Sequence, residues 1–188
     1  MPGDALDLQG HLLEQFEPGP VAPEFGTRVL SRHIKQGSHL PGTELDRYAL
    51  AADLKLNGSN YGLRFKHKYF DATFNFCLTF DDELIATLGF EIEGTAMLIW
   101  QIQGVRGQGE RLAPIRWSRA LLEHAVEWAR DVGATEAYVA SIDHNEWAAR
   151  RGHLDRGRGK LLYDVTAKRS GFKRGEDGYY RLAIDPAH

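Results

Sequence analysis

The chain has 188 residues, 43% of them hydrophobic and 26% charged, and a formal net charge of -3. That length suits one buried core and is short for two, and the near-neutral charge gives no global pull toward nucleic acid or an anionic membrane. A single cysteine, Cys77, excludes an internal disulfide and a cysteine metal cluster.

No apolar run approaches the roughly 20 residues that a membrane helix needs. The opening MPGDALDLQGHLL lacks the basic-then-apolar pattern of a secretory signal, so a cytoplasmic protein is expected.

Residues 1–59 read as an irregular, partly helical segment. Leu8, Leu12, Leu13 and Phe16 suit one face of a short helix, which EPGPVAP then breaks. LSRHIKQGSHLPG reads as irregular, and ELDRYALAADLKL, residues 44–56, as a second short helix ended by NGSNYG. In ATFNFCLTF, Phe74, Phe76, Leu78 and Phe80 alternate with Thr73, Asn75, Cys77 and Thr79, the period of a strand with one apolar face. Asp81 and Asp82 make a turn into ELIATLGFEIEG, and Gly94 turns the chain again into TAMLIWQIQGV. Three strands with short connections read as an antiparallel meander.

The third strand runs into a glycine-rich basic loop, Gly104-Val105-Arg106-Gly107-Gln108-Gly109. A long helix follows, with Pro114 in its first turn, an apolar stripe from Leu121 to Val132 and Gly133 as its C-terminal cap. The strand Glu136 to Ile142 returns from this crossover and should pair parallel to the strand before it. HNEWAARRGHLDRGRGK is a polar connection, LLYDVTAKRSG a short helix, and FKRGEDGYYRLAI a closing hairpin. No repeat or linker divides the chain, so a single domain is expected, with residues 60–184 as its core.

Strand, glycine loop and helix in succession can bring backbone N–H groups up to a phosphate, aided here by Arg106 and Arg111. An ordinary flexible loop is the alternative, and Glu110 adds charge of the wrong sign. Gln101 and Gln103 share one strand face, either toward a ligand or toward solvent. Glu91 and Glu93 on the neighbouring strand, and His144 beyond the parallel strand, are residue types able to take a proton; an exposed strand face and a plain loop histidine are the alternatives. Tyr163 is either a packed aromatic or an acid. Metal binding has little support, since Asp143-His144-Asn145-Glu146 are neighbours on one loop. His144–Arg174 contains nine Lys or Arg and three Asp or Glu, a patch for a phosphorylated ligand or a solvated face.

The order of elements, the loop Gly104 to Gly109, the helix ending AVEWARDVGA and the close GFKRGEDGYYRLAI together resemble the GNAT superfamily of acyl-CoA-dependent N-acyltransferases over residues 60–184. The resemblance implies an α/β (α+β) fold, with a mixed, mostly antiparallel central sheet and helices on both sides. It implies acetyl-CoA or another acyl-CoA as cofactor, with its pyrophosphate on Gly104, Val105, Arg106, Gly107, Gln108, Gly109 and Arg111. The strand before the loop splays from its neighbour in that family, which puts the Ile102 and Gln103 amides, beside Gln101, at the acyl carbonyl. Glu91, Glu93 or His144 would handle the proton of an amine from a small molecule or peptide, approaching over residues 20–60.

Three features depart from the family's pattern. Gly104 stands where Gln or Arg is usual, ERLAPIRW precedes the helix, and Ala167 holds the usual place of the acidic tyrosine, with Tyr163 one turn earlier. A weaker similarity links IQG, the basic loop and the YD pair to the bacterial VirK/YbjX-like family. The readings that follow are an N-acetyltransferase and, alternatively, an inactive GNAT-like module that binds CoA or a protein. Nucleic acid is disfavoured because few aromatics, only Tyr163 and Phe172, lie among the basic residues between Arg150 and Arg174, and the net charge is negative. A homodimer stays open.

Overall fold

A computed structural model describes residue 10 and residues 14–66, 70–145 and 156–185 of the chain. Leu8, Leu12 and Leu13, and Glu146 to Asp155 of the basic connection, lie outside the described residues.

The elements are β1 (Gly19–Pro20), α1 (Pro23–Arg32), α2 (Gly42–Leu45), β2 (Tyr48–Leu54), β3 (Phe74–Phe80), β4 (Glu83–Glu93) and β5 (Ala96–Gly104). After these come α3 (Gly109–Leu112), α4 (Trp117–Asp131) and β6 (Glu136–Ala140). A last helical stretch follows: α5 (Arg156–Lys160), a π turn (Leu161–Val165) and α6 (Thr166–Arg169). The hairpin β7 (Lys173–Arg174) and β8 (Tyr179–Ala183) closes the fold. All eight strands form one sheet in the order β1-β2-β3-β4-β5-β6-β8-β7. Only β5 and β6 pair parallel. The fold is thus mixed α/β on a mostly antiparallel sheet, as the sequence implies.

Asp81 and Asp82 both adopt positive φ, 49° and 64°, so the two-residue turn matches the twist of the β3–β4 hairpin. Gly133 has φ 86°, the left-handed conformation that ends α4 before the chain returns into β6. Phe74, Phe76, Leu78, Leu88, Phe90, Met97 and Ile99 bury against Leu121, Leu122, Ala125 and Ala129 of α4 in one core. Among the described residues, no helix is long and apolar enough to cross a membrane.

Two segments differ from the sequence reading. Residues 48–54 form a strand, not the expected helix, because YALAADL pairs with β3 along its whole length, Tyr48 opposite Phe80 through Leu54 opposite Phe74. Its alanines favour a helix locally, but a strand between two neighbours overrides that preference. Residues 30–32, read as irregular, form the last turn of α1, which Pro23 starts because its fixed φ and missing N–H suit a first turn.

α1, α4 and α6 gather on one sheet face. α1 packs on α4 and β2, α4 on β3, β4 and β5, and α6 on α4. The other face carries residues 55–66 and 70–72, which close a small second core of Ala51, Phe65, Phe70, Cys77, Leu84 and Val105. Asp53, fully buried, anchors this cover by accepting the Leu54, Arg64 and Phe65 N–H groups at 2.9 Å. Gly62 lies so close that a Cβ would sit 2.1 Å from the Asp53 carboxylate.

Candidate active site

β5 is paired to β6 only from Ala96 to Ile99, and then continues alone on that side to Gly104. A bulge shifts the register with β4 between Gly89 and Phe90, so Trp100 is the extra residue at the point of separation. The open edge is partly filled from the C-terminal helix. The buried Tyr163 hydroxyl accepts the Ile102 N–H at 3.1 Å and lies 3.5 Å from the Trp100 carbonyl. Asn145 donates to that carbonyl at 3.1 Å and also hydrogen-bonds the phenol. Burial pushes the Tyr163 hydroxyl well above its ordinary acidity range; the Ile102 and Asn145 hydrogen bonds oppose this, and the Asp71 charge adds to it. Tyr163 lies in the π turn, where one extra residue rotates the side chains that follow.

The Ile102 amide is therefore already bonded to Tyr163. N–H directions alternate along a strand, and the Val105 N–H reaches Ile85 O on β4 at 2.8 Å. Two residues earlier, the Gln103 N–H faces β4 as well. The Gln103 amide thus points away from the gap where the family likeness puts it, and the N–H groups on the gap side are those of Ile102 and Gly104.

The glycine loop opens to solvent at Arg106, Gly107 and Gly109. Gly107 has φ 88°, and a Cβ at Gly107 or Gly109 would meet nothing within 4 Å. The Val105 and Gln108 N–H groups are bonded within the protein, while those of Arg106, Gly107 and Gly109 have no partner among the described residues. That donor set suits phosphate oxygens.

Arg111 is turned elsewhere, donating to Glu83 at 2.5 Å and to Gln108 at 3.0 Å. Gly104 is walled in, since a Cβ there would come within 3.0 Å of Leu112. The extra residues before α4 form the single turn α3 and then dock on the end of α1. Ile115 bridges Ile34, Lys35 N–H donates to Pro114 O, and Arg116 N–H donates to His33 O. This moves the N-terminus of α4, with Pro114 ahead of it, away from the loop.

The proton-handling candidates fall in different places. Glu91 accepts the Thr73 N–H at 2.7 Å and so fixes the start of β3. Glu93 is exposed and lines a shallow cleft on the open sheet face with Leu98, Trp100, Tyr138, Asp177 and Tyr179. His144 is exposed on the single turn after β6; its Nδ1 lies 3.1 Å from Ser141 Oγ, and its ring lies against Gly178. Of residues 20–60, expected at the substrate side, Pro23–Arg32 and Gly42–Leu45 form α1 and α2, Tyr48–Leu54 form β2, and 55–60 lie over the opposite face.

Gln101 does not face solvent. It is fully buried, its Oε1 accepts the Asp71 N–H at 3.1 Å, and its Nε2 donates to Gln103 Oε1 at 2.8 Å. Asp71, Asn75 and Asn145 thus belong to the polar surroundings of β5, and the sequence reading does not single them out in that role. The alternation of Asn75 with Phe74 and Phe76 marks the polar face, but nothing local shows that this face is covered. Among the described residues, no three His, Cys, Asp or Glu side chains converge as a metal site.

No protein-family model and no curated protein matches the chain. Solved structures do. One is the ribosomal-protein-S18-alanine N-acetyltransferase of Escherichia coli, at 18% identity, TM-score 0.38, over 61% of this chain and 70% of that one. Another is the Campylobacter jejuni N-acetyltransferase PseH, at 11% identity, TM-score 0.30, over 61% of this chain and 68% of that one.

Proposed function

We propose that this protein is an acyl-CoA-dependent N-acyltransferase whose thioester lies in the gap between β5 and β6. The observation that carries the reading is that gap: a parallel pair that ends at Ile99, with a tyrosine hydroxyl beside the next free strand edge and a glycine loop at the strand's end. An acyl-CoA supplies an activated acyl carbon and leaves as the thiol.

In this reading the N–H groups of Arg106, Gly107 and Gly109 hold phosphate oxygens, with Arg106 adding charge. Tyr163 gives its proton to the departing sulfur while the Ile102 and Asn145 groups orient its hydroxyl. The amine approaches over the open face, where the carboxylate of Glu93 takes its proton. The aromatic walls Trp100, Tyr138 and Tyr179 favour a cationic acceptor.

Calorimetry with acetyl-CoA and CoA tests the reading. Micromolar binding that disappears in Gly107→Glu/Gly109→Glu supports it. No binding at millimolar ligand overturns it. A second reading, binding without transfer, is favoured by the complete burial of Tyr163 and its bond to the amide that would otherwise hold the acyl oxygen. An intact binding isotherm with no loss of thioester across an amine panel would select it.

A further inference from the structure

A groove lies far from the glycine loop, on the helical face. It has a volume of about 640 Å³ and runs between residues 14–22, α1 and α4. Its walls are Phe16, Phe25, Phe76 and Trp128, and its lining also includes His124. The imidazole is 5% exposed, and neither Nδ1 nor Nε2 has a hydrogen-bond partner among the described residues. The Phe76 and Phe25 rings pack against it at steep angles, 4.4 Å and 5.4 Å between centroids. An apolar residue of similar size would fill this place without leaving a donor and an acceptor unsatisfied, each a real cost when buried. The groove's remaining charge is of one sign. Glu14, Glu17 and Asp131 line it, no Lys or Arg does, and none of the three is in an ion pair among the described residues.

The geometry points to a second ligand site here, for a small aromatic amine that carries a hydroxyl or N–H at the end away from its ammonium group. The aromatic body stacks among Phe16, Phe25, Phe76 and Trp128, where edge and face contacts discriminate shape. Its polar end reaches the His124 ring and satisfies one of the two nitrogens that the fold leaves alone. Its ammonium stays at the rim beside the three carboxylates. A carboxylate-bearing analogue is repelled there, and a purely aliphatic ligand leaves His124 unsatisfied. The site stands apart from the β5–β6 gap and does not depend on acyl transfer.

Titration of the full chain with tyramine, phenethylamine and hydroxyphenylpropionate tests this, read by calorimetry and by the NMR signals of the His124 ring. The expected result is saturable tyramine binding that shifts those signals. Phenethylamine, lacking the hydroxyl, binds about fivefold more weakly, the worth of one hydrogen bond. Hydroxyphenylpropionate does not bind. Glu17→Gln/Asp131→Asn, both exposed and harmless to folding, weakens tyramine severalfold, and His124→Phe removes the preference for tyramine over phenethylamine. The His124 signals separate this groove from the open-face cleft, where an amine could also sit. Equal affinity for tyramine and phenethylamine in the native chain, unshifted His124 signals at saturation, or no saturation at millimolar tyramine each overturn the proposal without reference to any variant.

Discussion

The two faces of the sheet are buried by different means. On the helical face, Phe74, Phe76, Phe90 and Trp128 meet as rings 5.2 to 5.7 Å apart, and area removed from water does most of the stabilising. On the opposite face, Asp53, Asn75 and Gln101 lie in one row across β2, β3 and β5, with Gly89 of β4 between the last two. All three are fully buried, and the Asp53 and Gln101 hydrogen bonds tie the overlying segment to the sheet. The first face tolerates exchange of one apolar shape for another. The second depends on each partner being present, because a buried group that loses its partner keeps its desolvation cost.

Substitutions sharpen that contrast. Phe76→Ala on the helical face should cost about 3–5 kcal/mol in urea unfolding, with Phe76→Leu recovering most of it. The same face carries a buried acid-sensitive group, His124, whose pKa burial lowers from 6.5 to about 4. The unfolded chain takes up this proton near pH 6.5 and the folded chain only near 4. His124 therefore leaves stability intact above pH 6.5 and removes about 3 kcal/mol as the pH falls from 6.5 to 4. The difference between native and His124→Leu unfolding curves across that range should show this; a constant difference would mean the ring is solvated.

On the polar face, Asp53→Asn keeps the shape but halves the acceptors facing three N–H groups, an expected loss of about 2 kcal/mol. Hydrogen exchange should rise at Arg64 and Phe65 first. At the sheet's open edge, Tyr163→Phe strands the Ile102 N–H for about 1–2 kcal/mol. On the proposed chemistry it also lowers turnover at least tenfold without changing CoA affinity. Gly107→Ala should have the smallest effect on stability, about 1 kcal/mol for a side chain at positive φ.

The same contrast explains what the sequence made legible. β3, β4 and β5, the crossover helix and the last hairpin follow from period two, period 3.6 and turn residues, all local signals. β2 was not legible, because a strand paired on both sides and buried on both faces shows no alternation, and its alanines suit a helix. Gln101 and Asn75 were visible as the polar side of an alternating pattern, but their burial depends on Asp53 and on residues 60–66 and 70–72 folding over them. Of the site, the loop and Tyr163 were legible by residue type. That Tyr163 would meet the Ile102 N–H was not, since it follows from the π turn. The commitment of Arg111 to Glu83, and of Glu91 to Thr73, follows from side-chain geometry that spacing does not encode.

The short parallel ladder from Ala96 to Ile99 also orders the assembly of the molecule. β3, β4 and β5 are joined by two-residue turns, so this meander can form from short-range contacts. Joining β6 to β5 has to wait until the whole of α4 has traversed the sheet, and the last hairpin pairs with β6. Late-forming contacts of this kind have little weight in the folding transition state. Substitutions along β6 and β8 should therefore speed unfolding while leaving the folding rate nearly unchanged, and the gap beside Tyr163 is the last part of the sheet to take shape.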